Sequence, residues 1–284
     1  MRNAFHDCVR ACRKRAHHLP ERTDALGAKR LEYELDAEAF LLMAMAAMLG
    51  AGVQAAIGFA FGLIAAPVLL VTMNSSSAIQ VLVVIHLVQS IMLVPKLWRH
   101  APRQLLLKLI VGSLFGFPLG LAVFMALDLR ALTLTVGFSL LAFAVLLALR
   151  ETGRLKIASI SYQTLPTWST LITGAATGFL TAVLVMPGPP IMILNAWTAM
   201  KKELSRALSL TFFAFCYVMV TMLHATMGGM PSSAWVTAAA LAPFVVVGTL
   251  VGARLSSQLS EGRFRLAVLG VVVFSGLYAI IASY

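Results

Sequence analysis

Two short runs of the sequence combine glycine with proline inside long apolar stretches. The first is Gly58-Phe59-Ala60-Phe61-Gly62, with Pro67 five residues on; the second is Pro187-Gly188-Pro189-Pro190. Proline removes a backbone donor and clashes with the preceding turn, while glycine allows positive φ and close backbone approach. A helix broken at such a run exposes unpaired N–H groups at the start of its second piece, at the positive end of that piece's dipole. Such an end binds an anion without a charged side chain. Pro189 and Pro190 suit the first turn of a helix, where missing donors cost nothing. The candidate substrate-binding residues are therefore Gln54, Gly58, Phe59, Gly62 and Pro67 at the first run, and Gly188, Pro189, Pro190 and Asn195 at the second. Gln54 could donate a hydrogen bond to a solute oxygen. Arg206, just past the second run, could recruit or countercharge an anion, although it also suits a topology determinant. For any one glycine, close helix packing in lipid is an equally good account, and for Phe59 and Phe61 ordinary packing is favoured. The pairing of two breaks is what points to a site.

Other polar residues inside apolar runs are fewer. His86 and His224 could titrate during transport; a neutral packing role is the commoner use. Gln80, Gln89 and Ser90 either line a cavity or join helices by hydrogen bonds. Ser75, Ser76 and Ser77 read as a turn and a helix cap. His6, Cys8, Cys12, His17 and His18 fit no zinc spacing, so no metal site is expected, and Cys216 reads as a small buried residue. No phosphate-binding loop, catalytic triad or metalloprotease motif occurs. Neither a cofactor nor an enzymatic activity is expected.

These residues sit in an unusual composition. The chain has 284 residues, 60% of them hydrophobic and 12% charged, with a mean hydropathy of +0.90. Soluble domains carry about a quarter of their residues as charges, so a soluble enzyme, a disordered chain and a coiled coil are excluded. The expected class is an all-α polytopic membrane protein. The net charge of +11 would suggest nucleic acid in a soluble protein, but its distribution does not. Residues 1–38 form a polar arm with eight basic and seven acidic residues, read as lacking regular structure and unlike a signal peptide. The remainder carries 14 basic and four acidic residues, and the acids (Asp128, Glu151, Glu203, Glu261) all lie between apolar runs. An intramembrane carboxylate usually marks a cation or proton relay. Its absence is compatible with anion traffic.

Eight apolar blocks follow the arm: Ala39–Met73, Ala78–Leu97, Gln104–Leu127, Ala131–Leu149, Trp168–Ala199, Leu204–Met227, Ser233–Leu255 and Phe264–Tyr284. The first and fifth, about 35 and 32 residues, would be roughly 50 Å long as straight helices, well beyond a hydrocarbon core of about 30 Å. Each contains one of the two runs above, so each reads as a broken hairpin of two half-length helices. Basic residues test this. They cluster at Lys96, Arg99, Arg103 and Lys108, at Arg150, Arg154 and Lys156, at Lys201, Lys202 and Arg206, and at Arg263 and Arg265. The links on both sides of the fifth block are basic, so both face the cytoplasm only if that block enters and returns. By analogy the first block does the same. The chain then comprises a first membrane repeat over 39–149, a basic cytoplasmic linker over 150–167 and a second repeat over 168–284. Each repeat is a re-entrant hairpin plus three transmembrane helices, and the two have opposite orientation. The N-terminus and the C-terminus fall outside.

At the breaks the sequence resembles the sulfite exporter TauE/SafE permease family. Gly52-Val53-Gln54-Ala55-Ala56-Ile57-Gly58-Phe59-Ala60-Phe61-Gly62 with Pro67 is similar to that family's first-repeat signature, and Pro187-Gly188-Pro189-Pro190 to its Gly-Gly-Pro-Pro second-repeat variant. Lys201-Lys202-Glu203-Leu204-Ser205-Arg206-Ala207 looks like its basic lead into the next helix, and Trp98-Arg99-His100 like its first cytoplasmic loop. Ala55 and Ala60 stand where glycine is usual, and Pro187 where glycine is common. The resemblance covers about Leu41 to Tyr284. It implies a permease of the bacterial inner membrane for a small anion, sulfite, thiosulfate, sulfoacetate or another organosulfonate. Export by alternating access is the expected mode; a non-transporting scaffold and an anion channel are the alternatives. The expected partners are the solute and the lipid bilayer, with no nucleic acid.

Overall fold

A backbone in lipid must satisfy its own polar groups, and an unbroken apolar run does so as a helix. The computed structural model describes residues 24–151, 161–198, 200–227 and 229–255, together with Gly270, Val273 and Leu277. Among these residues all regular structure is helical: α1 Asp24–Ile57, α2 Phe61–Met73, α3 Ser77–Leu97 with a 3₁₀ turn Trp98–His100, α4 Arg103–Ala126, α5 Leu129–Glu151, α6 Thr167–Leu184, α7 Gly188–Thr198, α8 Lys202–Thr226 and α9 Ser232–Leu255. Six helical stretches are long and apolar enough to cross a bilayer: Ala37–Ile57, Ser77–His100, Arg103–Ala126, Thr167–Leu184, Glu203–Thr226 and Ser232–Leu255. The all-α polytopic class holds. Most of the last apolar block, much of the basic linker and the first 23 residues of the arm lie outside the described residues.

The chain divides into two units, Met1–Leu42 and Met43–Tyr284. In the first, helix begins at Asp24, inside the stretch expected as an unstructured arm; Leu31 to Phe40 is rich in Glu, Leu and Ala, all good helix formers. Everything that follows concerns the second unit.

Several threonine hydroxyls inside the spans are satisfied within their own helices. Thr173, Thr177 and Thr181 donate to the carbonyls of Ser169, Thr173 and Thr177, and Thr221 and Thr249 to those of Tyr217 and Val245. This back-bonding to residue i−4 lets a polar side chain sit in an apolar span. Asp128 caps α5, its carboxylate accepting from the Ala131 N–H at 2.7 Å. The serine turn forms as expected, Ser75 Oγ accepting from the Ser77 N–H at 3.2 Å. All four tryptophans, Trp98, Trp168, Trp197 and Trp235, are exposed and lie near helix ends, where amphipathic rings meet a membrane–water boundary.

Two glycine seams set the packing. Gly112, Gly116 and Gly120 of α4 press on the backbone of Leu171, Ala175 and Phe179 in α6, while Gly174 and Gly178 of α6 press back on Leu109 and Ser113. Gly248 and Gly252 of α9 meet the backbone of Met48 and Gly52 in α1 in the same manner. Any Cβ in these positions would overlap a carbonyl, so glycine is what lets the helices come this close. Helix α3 fills the space between α8 and α9.

Both long apolar blocks are broken, with unequal arms. The first breaks at Gly58 to Ala60 and the second at Val185 to Pro187. The pieces before the breaks, Ala37–Ile57 and Thr167–Leu184, are long enough to span, rather than half-length. The pieces after them, α2 with 13 residues and α7 with 11, are only about 20 and 16 Å long. Pro67 does not make the first break: it lies buried inside α2. The break falls earlier because Gly58 and Ala60 take φ of 97° and 92°, which no right-handed helix can contain.

Candidate functional site

The two breaks meet. A Cβ built on Gly62, in the first turn of α2, would lie 2.6 Å from the Val185 carbonyl oxygen at the end of α6, and one on Gly188 would lie 3.6 Å from the Cβ of Phe59. Between them is a small cavity lined by residues that include Gln54, Gly62, Val185, Gly188 and Tyr217. It offers about 10 Å³ to the centre of a water molecule, roughly room for one water. The structure is closed around this point.

Three of the expected residues line the cavity directly: Gln54, Gly62 and Gly188. Gln54 shapes it, its Oε1 accepting from the Phe61 N–H at 3.3 Å. That fixes the amide orientation and leaves the NH₂ group as the side chain's other polar end. The N–H groups of Gly62 and Leu63, in the first turn of α2, have no intrahelical acceptor, and both residues line the cavity. The second break contributes less of this kind. Helix α7 opens Gly188-Pro189-Pro190, and neither proline has an N–H. The cradle of amide donors therefore belongs to α2.

The other expected residues stand around the cavity rather than in its wall. Phe59 packs edge-on against Phe143 of α5 at 5.9 Å. Gly58 backs onto Arg206, whose Cγ would be 3.5 Å from a Cβ there. The Arg206 guanidinium donates to the Ala55 carbonyl, one of the last carbonyls of α1 and without an intrahelical partner. A cation at a helix C-terminus is electrostatically favoured, so this contact explains why α1 ends cleanly before the break. Arg206 also lines a larger cavity of about 300 Å³ with Lys96, Leu93, Leu97 and Thr249. Asn195 ties α7 to α8 by donating to Ser209 Oγ at 3.1 Å. Pro67, Pro189 and Pro190 do not line the cavity.

The two histidines differ. His224 is bound through Nε2 to the Ala182 carbonyl at 3.0 Å and rests on Phe124, joining α8 to α6 just before the second break. His86 is fully buried, with Nδ1 2.7 Å from the Leu82 carbonyl, and its ring stacks on Phe61 at 4.0 Å and leans on Tyr217 at 4.6 Å. It packs against Tyr217, one of the residues that line the cavity. Gln89 joins helices, donating to the Ala51 carbonyl of α1 at 2.7 Å.

Sequence reasoning missed Ala60, Val185 and Tyr217. The first two hold positive φ without being glycine; Ala60 stands where the resembled family usually has glycine, which hinted at that backbone, and Val185 carried no such sign. Tyr217 carried a signal, a phenol in the middle of an apolar run.

Two helix breaks thus meet at a small buried cavity that the first turn of α2 helps to line. The sulfite exporter TauE/SafE family model matches residues 42–279. The chain belongs to the sulfite exporter TauE/SafE family. It is a multi-pass membrane transport protein, and the match covers both breaks, both glycine seams and every residue discussed in this section. No curated protein and no solved structure matches the chain.

Proposed function

We propose that this TauE/SafE protein is a secondary permease of the inner membrane that exports a small sulfur oxyanion, sulfite or an organosulfonate, through the point where the two breaks meet. The observation that carries the reading is the contact of Gly62 with the Val185 carbonyl, which puts the amide end of α2 against the second break. The donors there suit a solute whose oxygens only accept. In the described spans the carboxylates, Glu38 and Glu203, stand at the very ends, and none lies in a span interior to repel an anion or hold a cation. An inside-negative potential drives anion exit at about 2.3 kcal/mol per charge per 100 mV, so export needs no coupling ion. Arg206 and Lys96, in the larger cavity on the other side of Gly58, form an approach for the anion from the cytoplasmic side.

Alternating access of two inverted halves is the proposed mechanism. Supporting it, the helix contacts pair off when the halves are exchanged: the α1–α9 seam corresponds to the α6–α4 seam, and the α3–α9 contact to α8–α4. The cavity's small volume favours an occluded intermediate over an open channel. Purified protein in liposomes loaded with sulfite should show efflux that saturates with concentration and accelerates with an inside-negative potential. Efflux linear in concentration means a channel, and none with sulfite, thiosulfate or sulfoacetate means that the permease reading is wrong.

A further inference from the structure

Tyr217 is 1% exposed, and among the described residues its hydroxyl makes no hydrogen bond of regular geometry, the Gln54 side chain lying beside it. Such a buried hydroxyl loses its hydration without full compensation, so its persistence asks for a function. Tyr217 lines the cavity at the breaks, opposite Gly62 and beside Gln54. Its ring is held by His86 at 4.6 Å and by Phe213 at 6.4 Å.

His86 sharpens the point. A carbonyl only accepts, so the contact to Leu82 places the proton of the neutral imidazole on Nδ1. The other nitrogen, Nε2, is then a bare acceptor, and among the described residues it too has no partner. Behind the tyrosine there is thus a ring that packs against it and gives it no hydrogen-bond donor. Toward the cavity stand the Gly62 and Leu63 amides and the Gln54 NH₂, all donors. The hydroxyl oxygen can accept from the Gln54 NH₂, which leaves its own proton to be donated to an acceptor in the cavity.

Resting on the permease reading above, we propose that Tyr217 is the specificity-determining residue of the site, its hydroxyl donating to an oxygen of a fully deprotonated sulfur oxyanion whose other oxygens face the Gly62 and Leu63 amides. Solutes of the class R–SO₃⁻ and sulfite fit, since each oxygen offered to the donors is an acceptor. A carboxylate, with two oxygens in one plane, leaves one donor of the set unmatched, and buried donors left unpaired are the strongest source of discrimination.

Tyr217→Phe keeps the ring and its packing and removes the hydroxyl alone. Because that hydroxyl makes no hydrogen bond of regular geometry, the ligand-free variant should unfold at the wild-type temperature or slightly above it. The thermal stabilisation by sulfite and sulfoacetate should be lost, and KM for sulfite efflux should rise about tenfold or more with the maximal rate largely retained. The preference for sulfoacetate over a dicarboxylate such as malonate should shrink. A variant that keeps the wild-type sulfite shift and KM overturns the inference, as does one destabilised without ligand, which would make the hydroxyl structural. Gly62→Leu separates this from the wider reading. If Gly62→Leu abolishes the sulfite shift and Tyr217→Phe does not, the site stands and the role of Tyr217 falls. If wild-type protein shows neither shift nor efflux with any of these anions, both fall.

Discussion

Gly62 in α2 and Val185 at the end of α6 are 123 positions apart in the chain, yet a Cβ on Gly62 would come within 2.6 Å of the Val185 carbonyl oxygen. The obstacle is backbone, which cannot rotate away. Gly62→Ala should therefore push the two breaks apart and lower stability by about 2 kcal/mol, the usual scale of overpacking. Gly188→Ala is the control. Its Cβ would meet the Phe59 Cβ at 3.6 Å, an ordinary contact in the first turn of a helix, so stability should change by less than about 0.5 kcal/mol. Thermal unfolding of the two variants in detergent checks the contrast, and equal effects would mean that the breaks are not in contact.

Arg206 links α8 to the end of α1 through the Ala55 carbonyl. Arg206→Met keeps much of the aliphatic packing on Gly58 but leaves that carbonyl without its cation. The helix-terminus interaction of a partly buried cation is worth about 1–2 kcal/mol, and the variant should lose about that much stability. Arg206→Lys should recover part of it, since an ammonium can still face the helix end without the guanidinium's fork. Unfolding measurements on the pair check the ordering Arg above Lys above Met.

Ala60 holds φ 92°, in a region that costs a residue with a Cβ about 1–2 kcal/mol. Glycine removes that strain at an entropic cost of roughly 0.5–1 kcal/mol, and the methyl group lost is small. Ala60→Gly should then be stabilising, by up to about 1 kcal/mol. Val185 is strained too, at φ 56°, but its side chain is wholly buried; Val185→Gly should be destabilising because the lost burial exceeds the strain relieved. A melting temperature that rises for the first and falls for the second is the expected result.

The sequence showed the membrane class and the positions of both breaks, because each follows from local chemistry: apolar length, and Gly and Pro inside runs too long for one crossing. What it could not show was which residues face one another. Gln54, Gly62 and Gly188 carried the signature of a break and do line the cavity; Pro67, Pro189 and Pro190 carried the same signature and serve the helices instead. Pro67 misled because proline was expected to set the break, whereas left-handed backbone at Gly58 and Ala60 had already ended α1. Arg206 looked like a solute ligand from its charge alone, and the structure shows it also capping α1, a contact across 151 residues. Val185 became visible only through tertiary packing, and Tyr217, a phenol in an apolar run, acquired its place at the cavity only there. The glycine seams lay in plain view as small residues at helical spacing, but their partners could not be read from either helix alone.

The lengths of α2 and α7 bear on the orientation of the chain. At about 20 and 16 Å, neither crosses a hydrocarbon core of about 30 Å unaided. The links before α6 and after α7 are both basic, with Arg150, Arg154 and Lys156 on one side and Lys201 and Lys202 on the other. If α7 continued in the direction of α6 instead of returning, one of these groups would have to lie outside against the positive-inside bias. On the proposed topology a tilted α6 and a short returning arm would leave both in the cytoplasm, and three further crossings would carry the C-terminus to the periplasm. Reporter fusions should accordingly give a periplasmic signal after Tyr284, and cytoplasmic signals after Arg154 and after Lys201. A cytoplasmic signal after Tyr284 would defeat the returning arm, and with it the opposite orientation of the two halves on which alternating access depends.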